Sequence, residues 1–513
     1  MQQSLQDYIT EITYISNYYG DLTPKHLVFV AAINNFPHPD IGRPFAYCEL
    51  GCGCGKTVNT VAAAYPNSNC FGVDINQEHI KIARNESFGL SNITFLDMPF
   101  EKALVQSLPR FDFIVLHGVW SWVSDAVRRD VCKFVRKFLK TNGLFYISYD
   151  SMPGWAQLLP FHKIMSLYTR NMHCSVEEKA RSAMAYLQYL NCNRSPFFER
   201  NPDAEKFLQM LEQSDIRYIV HELFNCNLRP EYFCDVAAEL RKAGLTFVGD
   251  NNYINNYDMT LPEPFRQLLA TADDRISMET HKSIIQNDRF RKDVYAKRSG
   301  KTPLPEEMKK WLETFLFGAS QSPEELRLNV DFQWYSINLA PEPYLRIFEI
   351  LSGDQMTIQE LNRKLGRSAD ALAQTLENMI NCMLSHQFAI FLTKTPVGEV
   401  GEKITFTCEY NRRQITNWRD QYSRHVYLAS PVTGDAVAIS KRNALIISMM
   451  LEHGLRPEAV LDRALEFARE DMKNGGNILQ FSVDQNISQL MLFDYEEIVS
   501  HLLKKLYRLG IIR

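Results

Sequence analysis

The sequence has no long apolar run and no leader-like start. No stretch of about 18 uninterrupted apolar residues occurs in the 513 residues, which argues against a membrane-spanning helix. The first ten residues, MQQSLQDYIT, lack the basic start and apolar run of a secretion signal. We therefore expect a protein without a membrane span that is located in the cytoplasm.

The sequence also lacks an excess of positive charge. Its 56 Lys and Arg residues are outnumbered by 60 Asp and Glu residues, which gives a formal net charge of −4. Nucleic-acid binding depends on basic patches that neutralise phosphates, so we expect no nucleic-acid partner. Hydrophobic residues make up 45% of the chain, as in ordinary globular proteins. The length predicts about three domains.

The cysteines show no metal-binding pattern. There are 11 of them, an odd number, scattered along the chain. In a reducing cytosol such residues are typically small buried side chains. Cys48, Cys52 and Cys54 lie close together, but no further Cys or His nearby completes a tetrahedral site. We therefore predict no metal centre.

The chain does contain an alternation of strand-like and helix-like segments from residue 45 to residue 155. This alternation predicts an α/β fold with a parallel, doubly wound sheet. The five predicted strands are FAYCEL, NCFGVDI, NITFLDM, FDFIVLHGV and GLFYISYD. Two later segments, IRYIVHELF and LTFVGD, predict strands that complete a seven-stranded Rossmann-like sheet. The sheet domain would then comprise residues 45–155 and 216–255.

The remaining regions are predicted to be mainly helical. Residues 1–44 form an aromatic-rich N-terminal segment, 156–215 a helical insertion and 256–325 a second helical region. Within the latter, the basic segment RFRKDVYAKRSGKTPLP predicts a solvated helix end followed by a linker. Residues 330–513 begin with three amphipathic segments and a strand, the order of a winged helix, and end in further helices. The candidate recognition helix, residues 368–384, carries no Lys or Arg, so we expect packing or partner recognition there.

The glycine-rich stretch YCELGCGCGKT allows three kinds of ligand. A phosphate loop needs glycine at position 50, which is Leu50, and a dinucleotide loop needs glycine at position 56, which is Lys56. The observed spacing, Gly51-x-Gly53-x-Gly55, favours S-adenosylmethionine. The zwitterionic end of that cofactor must lie against bare backbone, and glycine permits both the close approach and a positive φ. Lys56 then belongs to the first turn of a helix.

Two carboxylates strengthen this interpretation. Asp74 follows the second strand and can accept hydrogen bonds from both ribose hydroxyls, while Asp97 ends the third strand, where a side chain can meet adenine. Ligands of such sheets bind at the carboxyl ends of the strands. The predicted cofactor-binding residues all lie at or just after the carboxyl ends of predicted strands; they are Glu49, Gly51, Cys52, Gly53, Gly55, Asp74, Ile75, Asp97, Met98 and His117.

Two longer motifs carry a family resemblance. LHGVWSWVSDAVRRDV follows the fourth strand, and SYDSMPGWA follows the fifth. Both resemble motifs of bacterial class I S-adenosylmethionine-dependent methyltransferases that carry a methyltransferase regulatory domain. The resemblance covers roughly residues 13–300 well and the remainder loosely. The chain departs from the family pattern at Cys54, where an acidic residue is usual, and at Asp150 and Ser151, where Asn-Thr is usual.

The resemblance implies a protein-lysine methyltransferase, and a homodimer would be in keeping with it. A small-molecule N- or O-methyltransferase and a non-catalytic cofactor-binding adaptor remain alternatives, because fold does not fix substrate. Methyl transfer to lysine needs an aromatic-walled site and a group that takes the amine proton. We predict aromatic walls, a lid over them and a carboxylate that orients the amine or accepts its proton. The predicted walls are Trp120, Trp122, Tyr149 and Trp155, the lid is Tyr18 and Tyr19, and the carboxylate is Asp150.

Overall fold

The structure is a computed structural model of the 513-residue chain. It describes residues 14, 17–298, 311–320, 325–396, 398, 400–401, 403–420, 423–473, 479 and 486–513. Within those ranges, no helix combines the length and the hydrophobicity that a bilayer crossing requires.

A seven-stranded sheet forms the centre of the N-terminal half. Its strands, in chain order, are β1 (Ala46–Leu50), β2 (Asn69–Asp74), β3 (Ile93–Asp97), β4 (Phe111–Leu116), β5 (Leu139–Asp150), β6 (Thr246–Asp250) and β7 (Phe290–Ala296). In space they run β3-β2-β1-β4-β5-β7-β6. The first five are parallel, and β7 is antiparallel to both of its neighbours. The strand order reverses between β1 and β4, which places the expected ligand crevice above β1.

Helices cover both faces of the sheet, as predicted. Those up to the fifth strand are α1 (Pro24–Ile33), α2 (Lys56–Ala64), α3 (Gln77–Glu86), α4 (Phe100–Ala103) and α5 (Asp125–Phe138). Val28 and Val61 pack with Tyr47 on one face, whereas Phe134 packs with Cys48 on the other. Because both faces are covered, all five residues of β1 are buried. Asn76 caps α3 by accepting from the next backbone amides, as its position predicts.

A block of helices follows β5. It contains α6 (Leu159–Thr169), α7 (Val176–Cys192), α8 (Pro196–Glu199), α9 (Pro202–Glu212) and α10 (Ile216–Leu223). Phe161, Leu187 and Val220 belong to its separate hydrophobic core. The prediction of a strand at residues 216–224 is wrong: Asp215 accepts a hydrogen bond from the Arg217 amide and starts a helix there.

The strand that completes the sheet lies further along the chain. After α11 (Phe233–Lys242), α12 (Glu263–Leu269) and α13 (Arg275–Gln286), β7 inserts between β5 and β6. The prediction of a solvated helix end from residue 289 onward is therefore wrong over β7, and residues 299–305 of that segment lie outside the described residues. Arg291 and Asp293 are buried in β7 because they pair with each other, with nitrogen and oxygen 2.8 Å apart.

In the described residues of the C-terminal part, strands pair into three two-stranded sheets, and helices pack around them in two units. The first unit contains β8 (Leu316–Ala319), β9 (Asn329–Asp331), β10 (Ser336–Asn338), α14 (Tyr344–Gly353), α15 (Ile358–Lys364), α16 (Leu372–Leu384) and β11 (Phe388–Phe391). In this unit β8 pairs antiparallel with β11. Three helices and a strand pair thus occur together, as in a winged helix. The winged-helix interpretation itself remains a prediction. The second unit contains α17 (Glu409–Thr416), β12 (His425–Ser430), β13 (Asp435–Ser440), α18 (Lys441–His453), α19 (Pro457–Lys473), α20 (Ile487–Glu497) and α21 (Leu503–Arg508). The other two sheets pair β9 with β10 and β12 with β13.

Candidate functional site

The glycine loop joins β1 to α2 in a conformation that favours glycine. Gly51, Gly53 and Gly55 have φ values of +70°, +51° and +73°. A Cβ added to Gly51 would clash with a methyl group of Val119, and one added to Gly55 would lie 2.7 Å from the Cβ of Ala83. Bare backbone is therefore required at both positions, which leaves the loop open toward the crevice above β1.

The Gly-Lys-Thr that ends the motif does not form a phosphate site. Lys56 lies in the first turn of α2, where its Nζ is 2.6 Å from Glu86 and donates to Gln414 over 3.2 Å. The Thr57 hydroxyl accepts a hydrogen bond of 3.2 Å from the Tyr19 backbone amide. The lysine charge is thus neutralised inside the protein.

Asp74 connects the second strand to the glycine loop. Its Oδ2 accepts from the Gly53 amide and its Oδ1 from the Asn76 amide, both over 2.8 Å. These contacts fix the carboxylate at the carboxyl end of β2, facing the same crevice. Asp97, one strand further out, is not among the residues that line the crevice, whereas the next residue, Met98, is.

The loop, the strand ends and the helical block together enclose a cavity of about 420 Å³. Eleven of the predicted site residues line it: Glu49, Gly51, Cys52, Gly53, Gly55, Asp74, Ile75, Met98, His117, Asp150 and Tyr19. Trp122 and Trp155, also predicted as walls, line it too. The fold therefore brings most of the predicted residues to one cavity.

Three predicted aromatic residues lie outside the cavity lining, and the structure corrects their placement. Each donates to a carboxylate elsewhere: Trp120 to Glu231 over 2.8 Å, Tyr149 to Asp293 over 2.5 Å, and Tyr18 to Asp435. Trp120 and Tyr149 are also almost fully buried. Their polar atoms need partners in that environment, so they stabilise the surroundings of the cavity and do not form its walls.

Several cavity residues were not predicted from the sequence. They come from the N-terminal segment, the helical block and the start of β7: Tyr14, Asn17, Phe207, Met210, Tyr218, His221, Glu222, Asn225, Arg289 and Phe290. No local motif marks them. The sequence did contain one signal for two of these residues, because the apolar residues of α10 recur at helical spacing. In a helix, Tyr218 and Glu222 lie one turn apart on the same side.

Two carboxyl groups line the cavity, one at the end of a strand and one on a helix. Burial raises the pKa of Asp150, at the end of β5, to about 7. Burial and the charge of Asp150 raise the pKa of Glu222, in α10, to about 8, although a hydrogen bond of 3.0 Å from the Tyr14 hydroxyl offsets part of the rise. One Asp150 oxygen is buried and has no hydrogen-bond partner in the described structure. This pair is suited to bind a cation and to exchange a proton near neutral pH.

A third carboxyl group with a raised pKa lies on the glycine-loop side of the cavity. Glu49 lies near the end of β1 below the glycine loop, and burial together with the charge of Asp74 raises its pKa to about 8. Its Oε2 atom is buried without a hydrogen-bond partner in the described structure. A buried carboxylate beside open backbone fits the cationic end of S-adenosylmethionine, because an opposite charge favours the ionised form.

His117 and Cys54 are neutral members of the lining. Burial lowers the pKa of His117 to about 4, and its Nδ1 lies 2.9 Å from the Tyr146 hydroxyl. Burial, with the charge of Glu86, raises the pKa of the Cys54 thiol to about 12. Cys54 therefore replaces the acidic residue usual in the resembling family with a small uncharged side chain.

Two family models match adjoining parts of the chain. Residues 44–215 match a methyltransferase domain, and residues 215–297 match a predicted methyltransferase regulatory domain. The regulatory match therefore contains α10, α11 and the last two strands of the sheet.

Individual proteins extend the likeness beyond these models. The Synechocystis protein sll1526 is 29% identical over 448 residues, which covers 86% of this chain and 87% of that protein. The Rickettsia prowazekii protein RP789 is 29% identical over 287 residues, 55% of this chain and 51% of its own. The structure of PKMT2 from Rickettsia typhi in complex with AdoHcy covers 97% of this chain and 99% of its own at 20% identity, with a TM-score of 0.72. The fold is therefore shared along nearly the whole chain.

Proposed function

We propose that this chain, which matches a methyltransferase domain over residues 44–215 and a predicted methyltransferase regulatory domain over residues 215–297, transfers methyl groups from S-adenosylmethionine to a lysine side chain of a protein substrate. The observation that carries the proposal is the pair of buried carboxyl groups, Asp150 and Glu222, facing the same cavity as the glycine loop. The resemblance to protein-lysine methyltransferases supports it, as does the likeness to PKMT2.

The glycine-loop side of the cavity would hold the cofactor. The backbone of Gly51, Gly53 and Gly55 would receive its amino-acid end, Glu49 would face its cationic groups, and Asp74 would accept from the ribose hydroxyls. When bound, the cofactor supplies a methyl group on a sulfonium for in-line transfer. The chain contributes alignment of the two reactants and exclusion of water.

The acceptor side must bind an ammonium group and remove one proton from it. Free lysine has a pKa of about 10.4, so it enters the cavity charged. That charge stabilises the ionised forms of Asp150 and Glu222, and one carboxylate oxygen then accepts an N–H proton. The nitrogen lone pair is left free to attack. Aromatic rings complete the binding site for the cation and the aliphatic stem; they are Tyr14, Trp155, Phe207, Tyr218 and Phe290.

Trp155 connects the aromatic wall to the proton acceptor. Its side chain lines the cavity with Asp150, and their interaction works against the rise that burial causes in the pKa of that carboxyl group. The indole is thus both part of the aromatic wall and a neighbour that favours the ionised form of Asp150.

The test is incubation of the purified protein with methyl-labelled cofactor and a cell lysate, read by mass spectrometry. We expect label on lysine Nε atoms of proteins. Glu222→Gln should lower the turnover of such a substrate by about 10²-fold or more, the size typical of a lost acid–base group, and should leave cofactor binding nearly unchanged. The matched control is Glu212→Gln, an exposed carboxylate of the same helical block, which should leave both quantities unchanged.

Two other outcomes would count against the lysine assignment, and a third would count against the role of the carboxyl pair. Label confined to small molecules would indicate a metabolite methyltransferase. Cofactor binding without any transfer would indicate an adaptor. Full protein-lysine activity in Glu222→Gln and in Asp150→Asn would refute the role given to the carboxyl pair.

A further inference from the structure

The neighbouring residues Tyr18 and Tyr19 contact different parts of the protein. The Tyr19 ring lies 4.1 Å from the ring of His117 and forms part of the cavity wall. The Tyr18 hydroxyl donates to Asp435 at the start of β13, and its ring lies 5.2 Å from that of Tyr427 in β12. One dipeptide therefore connects the cofactor cavity to the second C-terminal unit.

Asp435 is the centre of that connection. Its second oxygen lies 2.9 Å from Lys25 Nζ, which stands in the first turn of α1. The Ala436 amide donates to the Asp435 carboxylate over 2.8 Å and to the Tyr18 hydroxyl over 3.2 Å. A single carboxylate thus joins α1, the N-terminal segment and the C-terminal hairpin. Charge-assisted contacts of this kind are about twice as strong as neutral ones.

Tyr19 itself is held by weaker contacts. Its backbone amide donates to the Thr57 hydroxyl over 3.2 Å, and its ring packs on His117. The backbone at Tyr19 is extended, with φ −121° and ψ 98°, so successive side chains point to opposite sides. Fixing Tyr18 on one side therefore fixes the direction of Tyr19 on the other.

We propose that Asp435 is a positioning residue for the cofactor cavity: acting through Tyr18, it holds Tyr19 against His117 and so completes the wall around the bound cofactor. This gives the second C-terminal unit a part in cofactor binding that is independent of the identity of the methyl acceptor. Asp435 touches neither the cavity nor the reacting atoms, and its effect passes through the orientation of the Tyr18-Tyr19 pair.

The test measures binding of S-adenosylhomocysteine to the full chain by titration calorimetry. Tyr18→Phe removes only the donating hydroxyl, and Asp435→Asn removes the charge with little change of shape. We expect each to weaken binding about 10-fold, with a higher KM for the methyl donor and a kcat within about twofold of the wild type. Asp494→Asn is the matched control, because that buried carboxylate pairs with Arg442 at 2.7 Å inside the same unit. It should leave binding unchanged.

A double-mutant cycle separates positioning from general destabilisation. If Asp435 acts through Tyr19, the effect of Asp435→Asn on the dissociation constant should disappear in a Tyr19→Ala background. Additive effects of the two substitutions would overturn the proposal. So would wild-type affinity in both Tyr18→Phe and Asp435→Asn, or an equal loss of affinity in the Asp494→Asn control.

Discussion

Replacing Glu49 by Gln should make the ligand-free protein more stable at alkaline pH. Glu49 is 5% exposed at the floor of the cavity, and burial is the main reason that its pKa reaches about 8. A hydrogen bond from the Val58 backbone offsets only part of this cost. Glutamine has almost the same shape but carries no charge to desolvate. The substitution therefore removes the cost of ionising a buried carboxyl group and leaves the packing nearly intact.

The size and the sign of the effect follow from the difference between the folded and unfolded pKa. The ordinary value is 4.5, so between pH 4.5 and pH 8 the folded chain binds more protons at Glu49 than the unfolded chain does. Stability must therefore fall as the pH rises through this window. With a folded pKa of about 8, the linkage relation gives a loss of about 3 kcal/mol between pH 6 and pH 9.

Scanning calorimetry of the ligand-free protein at the two pH values measures this difference. The melting temperature of Glu49→Gln relative to the wild type should rise by about 3–6 °C between pH 6 and pH 9, at roughly 1–2 °C per kcal/mol for a chain of this length. Glu78→Gln, an exposed glutamate on α3, is the control and should show no such trend. If the two proteins keep a constant difference in melting temperature from pH 6 to pH 9, Glu49 ionises normally and the reasoning about its burial is wrong.

Three further predictions concern the surroundings of the site. Gly51→Ala should weaken S-adenosylhomocysteine binding more than about 10-fold, because the added Cβ would clash with Val119. The control is Gly244→Ala, where φ is also positive but the space is open, and it should not weaken binding. Equal affinities of the two variants by calorimetry would contradict the steric argument. Arg291→Met leaves buried carboxylates unpaired and should destabilise the protein by about 3–5 kcal/mol in urea unfolding, with the exposed Arg346→Met as a neutral control. Lys56→Met should lower the melting temperature yet leave cofactor affinity within about threefold; a complete loss of binding would reinstate a ligand role for this lysine.

The first five strands and the helices between them were predictable because the signals are local. Each strand is a short apolar segment bounded by turn residues, and each amphipathic helix buries one face. Asn76 marks the start of α3 through its own side chain. The ligand class of the glycine loop was also predictable, because Leu50 excludes a phosphate loop and Lys56 excludes a dinucleotide loop.

The wrong assignment in α10 came from weighing residue type above spacing. Its β-branched and aromatic residues favour a strand. Yet Ile216, Ile219, Val220 and Leu223 follow the i, i+3, i+4, i+7 pattern of a helix, and Asp215 precedes them as a cap. The helix forms because this stripe completes the hydrophobic core of the helical block.

β7, the last strand of the seven-stranded sheet along the chain, was not predicted from the sequence, for an electrostatic reason. Charged residues such as Arg291 and Asp293 usually indicate solvent, and only their mutual pairing lets them enter a buried strand. That pairing involves Asp250, Glu279 and Asp288, which come from separate elements. A sequence pattern cannot show which distant charges will meet. For the same reason the cavity residue Glu222 could not be located from the sequence, because the helical block meets the end of β5 only in the folded chain.

The position of β7 has a consequence for how the chain is made. β5 acquires its second neighbour only when residues 290–296 have been synthesised, about 150 residues after β5 itself. At about 5–20 residues per second the ribosome needs roughly 7–30 s for that interval. During it the outer edge of β5 presents unpaired amides and carbonyls, the kind of edge that invites aggregation. The boundary between the two family models, at residue 215, is therefore not a place where the nascent chain can stop and still have a complete sheet.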